Sequence, residues 1–225
     1  MLPQSQKIKI RLKFSKTGSL KFISHLDLNR TVKSAFLRSK LPIWYTMGYN
    51  PHPKTVFSLP LSVGTASLCE FMDFAIVEDT PGEVICARLN EVFPEGLRAI
   101  EAYTPVSKFH DIGWADYEIC MEIADAAGAV EKVKAALSGE IVIDKTTKIG
   151  TRTIEISEYV KVLDVREEGG VLVLAVRLCS DDTNFINPKY IIDFISEKTG
   201  ILGEKDDYTV CRIAVYLADG ETAFR

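Results

Sequence analysis

The sequence predicts an α+β fold, and two observations lead to it. Strand and helix patterns follow one another in the order β-α-β-β-α-β, and this order occurs once in each half of the 225 residues. Two ferredoxin-like units in tandem, each an antiparallel sheet with helices on one face, satisfy both observations. We therefore expect a first unit over residues 1–106 and a second over 115–219; one continuous α+β domain with a larger sheet is the alternative.

The first predicted strand alternates apolar and basic side chains over residues 7–14. Because the side chains of a strand point alternately to its two faces, one face should pack into the core and the other should carry four cations. The predicted core side chains are Ile8, Ile10, Leu12 and Phe14. The predicted exposed cations are Lys7, Lys9, Arg11 and Lys13.

The first predicted helix begins after Ser24, which opens the Ser-His-Leu-Asp pattern of a capping box. Ser24 can accept a hydrogen bond from the backbone at Asp27, and Asp27 can reach back. Apolar side chains share one face of this helix of about 15 residues, and Arg30 and Lys33 lie off that face. His25 takes the first helical position close in angle to the apolar face, which favours a packed, hydrogen-bonded ring over a catalytic one.

Residues 41–61 contain four prolines and a glycine, which exclude an uninterrupted helix. We expect a short strand over 43–45, an ordered Asn-Pro-His-Pro loop that holds His52, and a strand over 55–58. A strand over 68–77, a helix over 81–92 with Pro81 in its first turn, and a strand over 97–103 complete the first unit.

The second unit should begin with a strand over 117–123 and a helix over 127–137. Strands over 140–144, 153–165 and 171–178 follow, and a glycine turn joins the last two. Asn187 and Pro188 suit the N-cap and the first position of a helix that ends at Gly200. A strand over 207–217 closes the unit.

Charge divides the chain unevenly. The first sixty residues hold eleven lysines and arginines and one acid, Asp27, whereas the remainder holds 16 basic and 30 acidic residues. A net of about +10 at one end predicts a polyanion or an acidic protein surface as partner. The second half of the chain could also neutralise these cations.

Composition excludes several classes of protein. No apolar run approaches the roughly 20 residues of a membrane span and the first residues lack a signal-peptide core, so we expect a cytoplasmic protein without membrane contact. The five cysteines are dispersed, without metal-ligand spacing. Neither a metal, a cofactor nor a disulfide framework is therefore predicted, and the sequence has no sequence-specific DNA-binding motif.

Three stretches carry a family resemblance: RLKFSKTGSLKFISHLDLNR, YTMGYNPHPK and LPLSVGTASLCEFMD. They resemble the radical-SAM-linked protein family, whose members stand alone or follow cobalamin-binding radical-SAM proteins. Relatives commonly have serine and phenylalanine where this chain has Thr46 and Tyr49. The resemblance implies a radical-SAM protein as partner and supplies no activity. The matching positions are Arg11, Phe14, Lys16, Gly18, Phe22, Ser24, His25, Leu26, Asp27, Arg30, Gly48, Asn50, Pro51, His52, Pro53, Lys54, Pro60, Gly64, Ser67, Glu70 and Asp73.

These observations and the resemblance together predict a non-catalytic or weakly catalytic RNA-binding accessory module that acts with a radical-SAM protein in modification of RNA or a ribosome-related target. One alternative is a protein-interaction partner of that enzyme without RNA binding. The other is a metal-independent endoribonuclease in which His25 and His52 converge as acid and base. The predicted nucleic-acid contacts are Lys7, Lys9, Arg11, Lys13, Lys16, Arg30, Lys33, Tyr49, Asn50, His52 and Lys54.

Overall fold

The computed structural model describes residues 7–147, 150–203 and 207–225, and it contains two compact units. The first unit comprises the residues up to Phe109 together with Arg225, and the second comprises His110–Phe224. Both combine helices with antiparallel strands, so the predicted α+β class is confirmed.

The first unit follows the predicted order of elements. They are β1 (Ile8–Lys16), α1 (His25–Arg38), β2 (Val56–Phe57), β3 (Thr65–Ile76), α2 (Gly82–Asn90) and β4 (Leu97–Tyr103), with a short 3₁₀ helix, Gly18–Phe22, before α1. β1 pairs antiparallel with both β3 and β4, and β2 pairs antiparallel with β3. The strand order in space is therefore β4-β1-β3, with β2 added to β3.

The core of the first unit lies between the sheet and its two helices. Ile10, Leu12 and Phe14 of β1 are buried as the alternation predicts. They pack in one cluster with α1 and α2, which contribute Leu28, Val32, Phe36, Ile85 and Leu89. Both helices thus cover the face of β1 that carries its apolar side chains, and the lysines of β1 belong to the opposite face.

The N-terminus of α1 is capped as predicted, with one difference. Ser24 Oγ accepts a hydrogen bond from the backbone N–H of Asp27 at 3.1 Å. The Asp27 carboxylate does not return to the backbone of Ser24; it accepts from the Ser24 hydroxyl at 2.7 Å. A short aspartate reaches the cap hydroxyl more readily than the backbone donor that a glutamate contacts in a full capping box.

The segment between α1 and β2 is less regular than predicted. The expected strand over 43–45 is wrong, because this stretch makes only isolated bridges, Ile43 with Ile76 and Tyr45 with Pro53. The backbone is nevertheless attached to β3, since Trp44 N–H donates to the Ala75 carbonyl at 2.8 Å. Later in the chain, Pro81 is the N-cap of α2 and not part of its first turn.

β4 is an edge strand of the first unit's sheet. Its outward backbone groups at Ala99 are bonded by the side chain of Asn90, the last residue of α2. Asn90 Nδ2 donates to the Ala99 carbonyl at 3.0 Å, and Ala99 N–H donates to Asn90 Oδ1 at 2.8 Å. This one amide satisfies both backbone groups of an edge residue.

The second unit contains one more strand than predicted. Its elements are β5 (Ile112–Glu122), α3 (Ala126–Leu137), β6 (Val142–Thr147), β7 (Gly150–Glu155), β8 (Val160–Glu168), β9 (Val171–Cys179), α4 (Pro188–Thr199) and β10 (Tyr208–Leu217). The main strands pair in the order β10-β5-β9-β8, and β6 and β7 form a separate two-stranded sheet. The single strand predicted over 153–165 is wrong, because a 3₁₀ turn at Ser157–Tyr159 divides it into β7 and β8.

Candidate nucleic-acid interface

Arg11 corrects the prediction that β1 presents four exposed cations. Its side chain is 1% exposed and forms a bidentate ion pair with Asp73, with Nε to Oδ1 at 2.7 Å and Nη2 to Oδ2 at 2.9 Å. Nη1 donates to Ser107 Oγ at 3.3 Å and to the Arg225 carbonyl at 3.1 Å, and the Phe109 ring lies 4.4 Å from the guanidinium. These groups enclose Arg11, which is therefore not accessible to a ligand.

Lys7 and Lys9 line a pocket together with Lys54, which lies just before β2. The pocket has a volume of about 210 Å³, and its other lining residues are Val56, Asp73, Phe74 and Ala75. We refer to these seven residues as the lysine pocket. Across residues 7–147, 150–203 and 207–225, no ion pair involves any of the three lysines. The one carboxylate in the pocket, that of Asp73, is already bonded to Arg11.

Strand register explains why these side chains meet. Lys9 is paired with Ala75 across β1 and β3, and Val56 is paired with Asp73 across β2 and β3. Directly paired residues share a face of the sheet, so Lys9, Val56 and Asp73 all project away from the helices. The small Ala75 side chain leaves room beside Lys9. The pocket is therefore a consequence of register on the face that the helices do not cover.

Lys16 also corrects a prediction, because it is 3% exposed and not an accessible nucleic-acid contact. It continues the even-numbered positions of β1, which are the core-facing ones, and its Nζ donates to the Lys21 carbonyl at 3.3 Å. Lys13, on the opposite face, is half-buried. Two of the five cations predicted over residues 7–16 are thus buried.

His25 lies at the rim of a narrow cleft on the helix side of the sheet. The ring is exposed and meets Phe57 edge to face at a centroid distance of 5.1 Å, so the predicted packed and hydrogen-bonded histidine is wrong. Lys16 and Glu70, which is 5% exposed, also line this cleft. A titratable ring therefore stands beside two buried charged side chains, in a cleft of about 10 Å³, roughly the space of one water molecule.

His52 is held by its own loop. Its Nδ1 lies 2.9 Å from the Asn50 carbonyl oxygen, and its backbone N–H donates to Thr46 Oγ1 at 3.1 Å. Thr46 N–H in turn donates to the His52 carbonyl at 2.9 Å. Because a carbonyl oxygen only accepts, Nδ1 is the donor in this contact. Tyr49, at the tip of this loop, is fully exposed.

Arg30 and Lys33 lie on α1, in the layer opposite the lysine pocket. Arg30 is exposed and its Nη1 pairs with Asp27 Oδ1 at 3.2 Å. The hydrogen bond from the Ser24 hydroxyl lowers the pKa of Asp27, and Arg30 lowers it further. Lys33 is half-buried. The basic first sixty residues therefore form separate basic surfaces on two sides of the sheet.

The two histidines of the nuclease hypothesis do not contact each other. In the described ranges, His25 and His52 share neither a hydrogen bond nor a ring contact. Nor do three histidine, cysteine, aspartate or glutamate side chains among the described residues group as ligands for a metal ion. The separation of the two histidines therefore does not favour the hypothesis of RNA cleavage, which stays a prediction.

Trp44 is a residue of this surface that the sequence interpretation missed. It is half-buried, and Lys7 Nζ lies 4.2 Å from the centroid of its ring. Alternation could have identified it in the sequence, because an apolar Ile43 in an extended segment points to the core and its neighbour to the opposite face. Ile43 is indeed buried. Trp44 thereby supplies an aromatic ring beside the lysine pocket.

Comparison with known proteins identifies a family for this chain. One family model matches residues 9–188, and the family is described as "Uncharacterized protein conserved in bacteria (DUF2344)". A crystal structure of an unknown protein from Galdieria sulphuraria is similar at 13% identity over 92% of this chain and 99% of that chain, with a TM-score of 0.26. A likeness at that TM-score carries no argument. No curated protein matches the chain. No helix of the described residues has the length and apolar character to cross a membrane.

Proposed function

The chain belongs to the bacterial DUF2344 family, whose model spans most of its length, and we propose that it is an RNA-binding accessory module. In this proposal, single-stranded RNA binds through the lysine pocket, on the sheet face of the first unit that its helices do not cover. The partner that would modify the RNA or a ribosome-related target is a radical-SAM protein. That part of the proposal rests on the resemblance of the motifs around Lys16, His25 and His52.

The observation that carries the proposal is the group of three lysines without an ion-pair partner among the described residues. Three ammonium groups around a concave surface attract anions, and phosphates are the anions that a sheet face binds in series along a strand of RNA. The ring of Trp44, which lies against Lys7, provides apolar surface for a base. A sulfate-sized anion alone would use the lysines and leave this ring unused.

The arrangement of strands supports the same proposal. In the first unit the order is β4-β1-β3 with β2 beyond, and in the second it is β10-β5-β9-β8. We infer that both are ferredoxin-like units, the second with β6 and β7 inserted as an extra hairpin. In sheets of this kind, one face carries the helices and the other is open to bind single-stranded RNA by phosphate contacts and stacking.

Salt-dependent binding of single-stranded RNA tests the proposal. We expect log K to fall with log salt, at a slope of about −0.7 for each phosphate contacted, hence about −2 from the three lysines. Lys9→Glu should weaken binding and flatten this slope by about 0.7 or more. The matched control is Lys132→Glu on α3, which reverses an equally exposed lysine outside the first unit and should change neither. Absence of binding at low salt, or equal effects of the two variants, would overturn the proposal.

A second candidate function, docking of a protein without RNA, is favoured by one observation. Phe22, Leu26 and Val63 are apolar side chains that are each more than half exposed. The segments that carry Phe22 and Val63 are adjacent, because Gly64 N–H donates to the Lys21 carbonyl at 2.8 Å. Capture of a radical-SAM protein that is lost on Phe22→Ser, with no RNA retained, would select this candidate.

A further inference from the structure

The backbone that carries the Trp44 ring is anchored to the sheet. Its backbone N–H donates to the Ala75 carbonyl at 2.8 Å, and the Pro42 carbonyl accepts from Val77 N–H at 2.8 Å, so hydrogen bonds tie this segment to β3 on both sides of Ile43. Ile43 itself is anchored in the core at 7% exposed. A ring held in this way loses little freedom when a ligand stacks on it.

A lysine of the pocket occupies the face of that ring. Lys7 Nζ lies 4.2 Å from the ring centroid, and the same side chain lines the lysine pocket. A cation over an aromatic ring is held less strongly than a charge-assisted hydrogen bond holds it, and a phosphate offers the ammonium group a full opposite charge. An arriving nucleotide can therefore draw Lys7 from the ring to the phosphate, which frees the ring for the base.

We propose that Trp44 is the base-stacking residue of the RNA site, with an unpaired base on its ring and the adjacent phosphate among Lys7, Lys9 and Lys54. This inference rests on the proposed RNA binding and adds the way in which one nucleotide is held. A base in a duplex is covered by its neighbours and cannot stack on the ring, so the site selects single strands. Stacking engages the π face that all four bases share, so the site tolerates any sequence.

Fluorescence of Trp44 provides the test. The chain has two tryptophans, so the Trp114→Phe protein carries Trp44 as its one indole. Titration of this protein with an oligouridylate and an oligoadenylate of about ten nucleotides should quench the Trp44 emission. A blunt duplex of the same length should not. Quenching is measured in a protein with Trp44 intact, so it does not depend on how a Trp44 variant folds.

Affinity measurements complete the test. Trp44→Leu should weaken binding about 5- to 150-fold and leave the salt slope unchanged, since no charge is removed. Trp44→Phe keeps an aromatic ring and should stay within about threefold of the parent. The matched control is Trp114→Leu, because Trp114 also has a lysine over its ring, Lys161 at 4.3 Å, in the second unit.

The outcomes separate this inference from the function on which it rests. RNA binding with a normal salt slope, but without quenching and without an effect of Trp44→Leu, overturns the stacking role and leaves RNA binding standing. Absence of RNA binding by the unaltered protein overturns both. Quenching by duplex and single strand alike would overturn the selection of unpaired bases.

Discussion

Asp73→Asn should destabilise the first unit by about 3 kcal/mol, because it removes the carboxylate that forms a bidentate ion pair with the buried Arg11 guanidinium. Removing one partner of a buried ion pair costs about 3–5 kcal/mol. The lower end of this range applies here, since the Asp73 side chain is 27% exposed and water can reach it. Asparagine also keeps one oxygen that can accept a hydrogen bond from Arg11.

Urea unfolding followed by Trp44 fluorescence measures this loss. The measurement uses the Trp114→Phe protein. Trp114 lies in the second unit, so its removal leaves the fluorescence of Trp44 in the first unit as the signal. With a denaturant slope of about 1–3 kcal/mol per molar, the midpoint should fall by about 1–3 M. The matched control is Glu131→Gln, also an acid-to-amide change, in a pair with Lys134 at 3.2 Å whose carboxylate is 82% exposed. It should cost less than about 0.5 kcal/mol, because water screens such a pair.

A loss below about 1 kcal/mol for Asp73→Asn would refute the conclusion that a buried ion pair holds Arg11. The double variant Arg11→Met with Asp73→Asn provides a further check. It removes the buried guanidinium charge as well and replaces it with apolar volume, so it should recover part of the loss. A double variant less stable than Asp73→Asn would show that the contacts of Arg11 with Ser107, Phe109 and Arg225 matter more than its charge.

Three further predictions concern the stability of the first unit. Ser24→Ala should cost about 1 kcal/mol in urea unfolding, because the first turn of α1 loses its side-chain cap; no change would contradict the capping role. Gly96→Ala should lower the thermal midpoint more than Gly169→Ala, although both glycines have positive φ, +88° and +60°. A Cβ at Gly96 would lie 2.5 Å from the Thr17 carbonyl oxygen, whereas nothing lies within 4 Å at Gly169. Burial raises the pKa of Tyr103 from 10.0 to about 12. Its contribution to stability is therefore complete below about pH 10 and is lost as the pH rises to about 12, so Tyr103→Phe should flatten the pH dependence of the unfolding midpoint in that range.

Local patterns predicted most of the elements, because their causes lie within a few residues of one another. The alternation around Leu12 gave the buried face of β1, and Ser24 gave the start of α1. As predicted, α4 begins after the Asn187 cap and ends at Gly200, which has φ +64°. Each of these features depends on side-chain period or on a capping hydrogen bond, and both can be read without knowledge of the partners.

The errors arose where distant parts of the chain meet. Period-two alternation assigns Arg11 to a face, but the residues that enclose it lie 62 to 214 positions away in sequence. The lysine pocket depends on the register between β1, β2 and β3, which alternation does not fix. Lys16 is different, since it lies two residues beyond the alternating stretch, on the even-numbered side, and only its charge favoured exposure. The sequence therefore predicted a basic surface, but it did not show which of the basic side chains are accessible to a ligand.

The side-chain amide of Asn90 affects how readily the edge strand β4 can pair with a strand of another molecule. An uncovered edge strand offers its backbone groups to the strand of another molecule, which is the usual first step of sheet-to-sheet aggregation. At Ala99 of β4 those groups are already bonded to Asn90, so a second molecule would first have to displace the amide. Because Asn90 ends α2, fraying of that last helical turn would free the edge as well. Protection of the β4 edge at Ala99 is thus coupled to the integrity of one turn of the neighbouring helix.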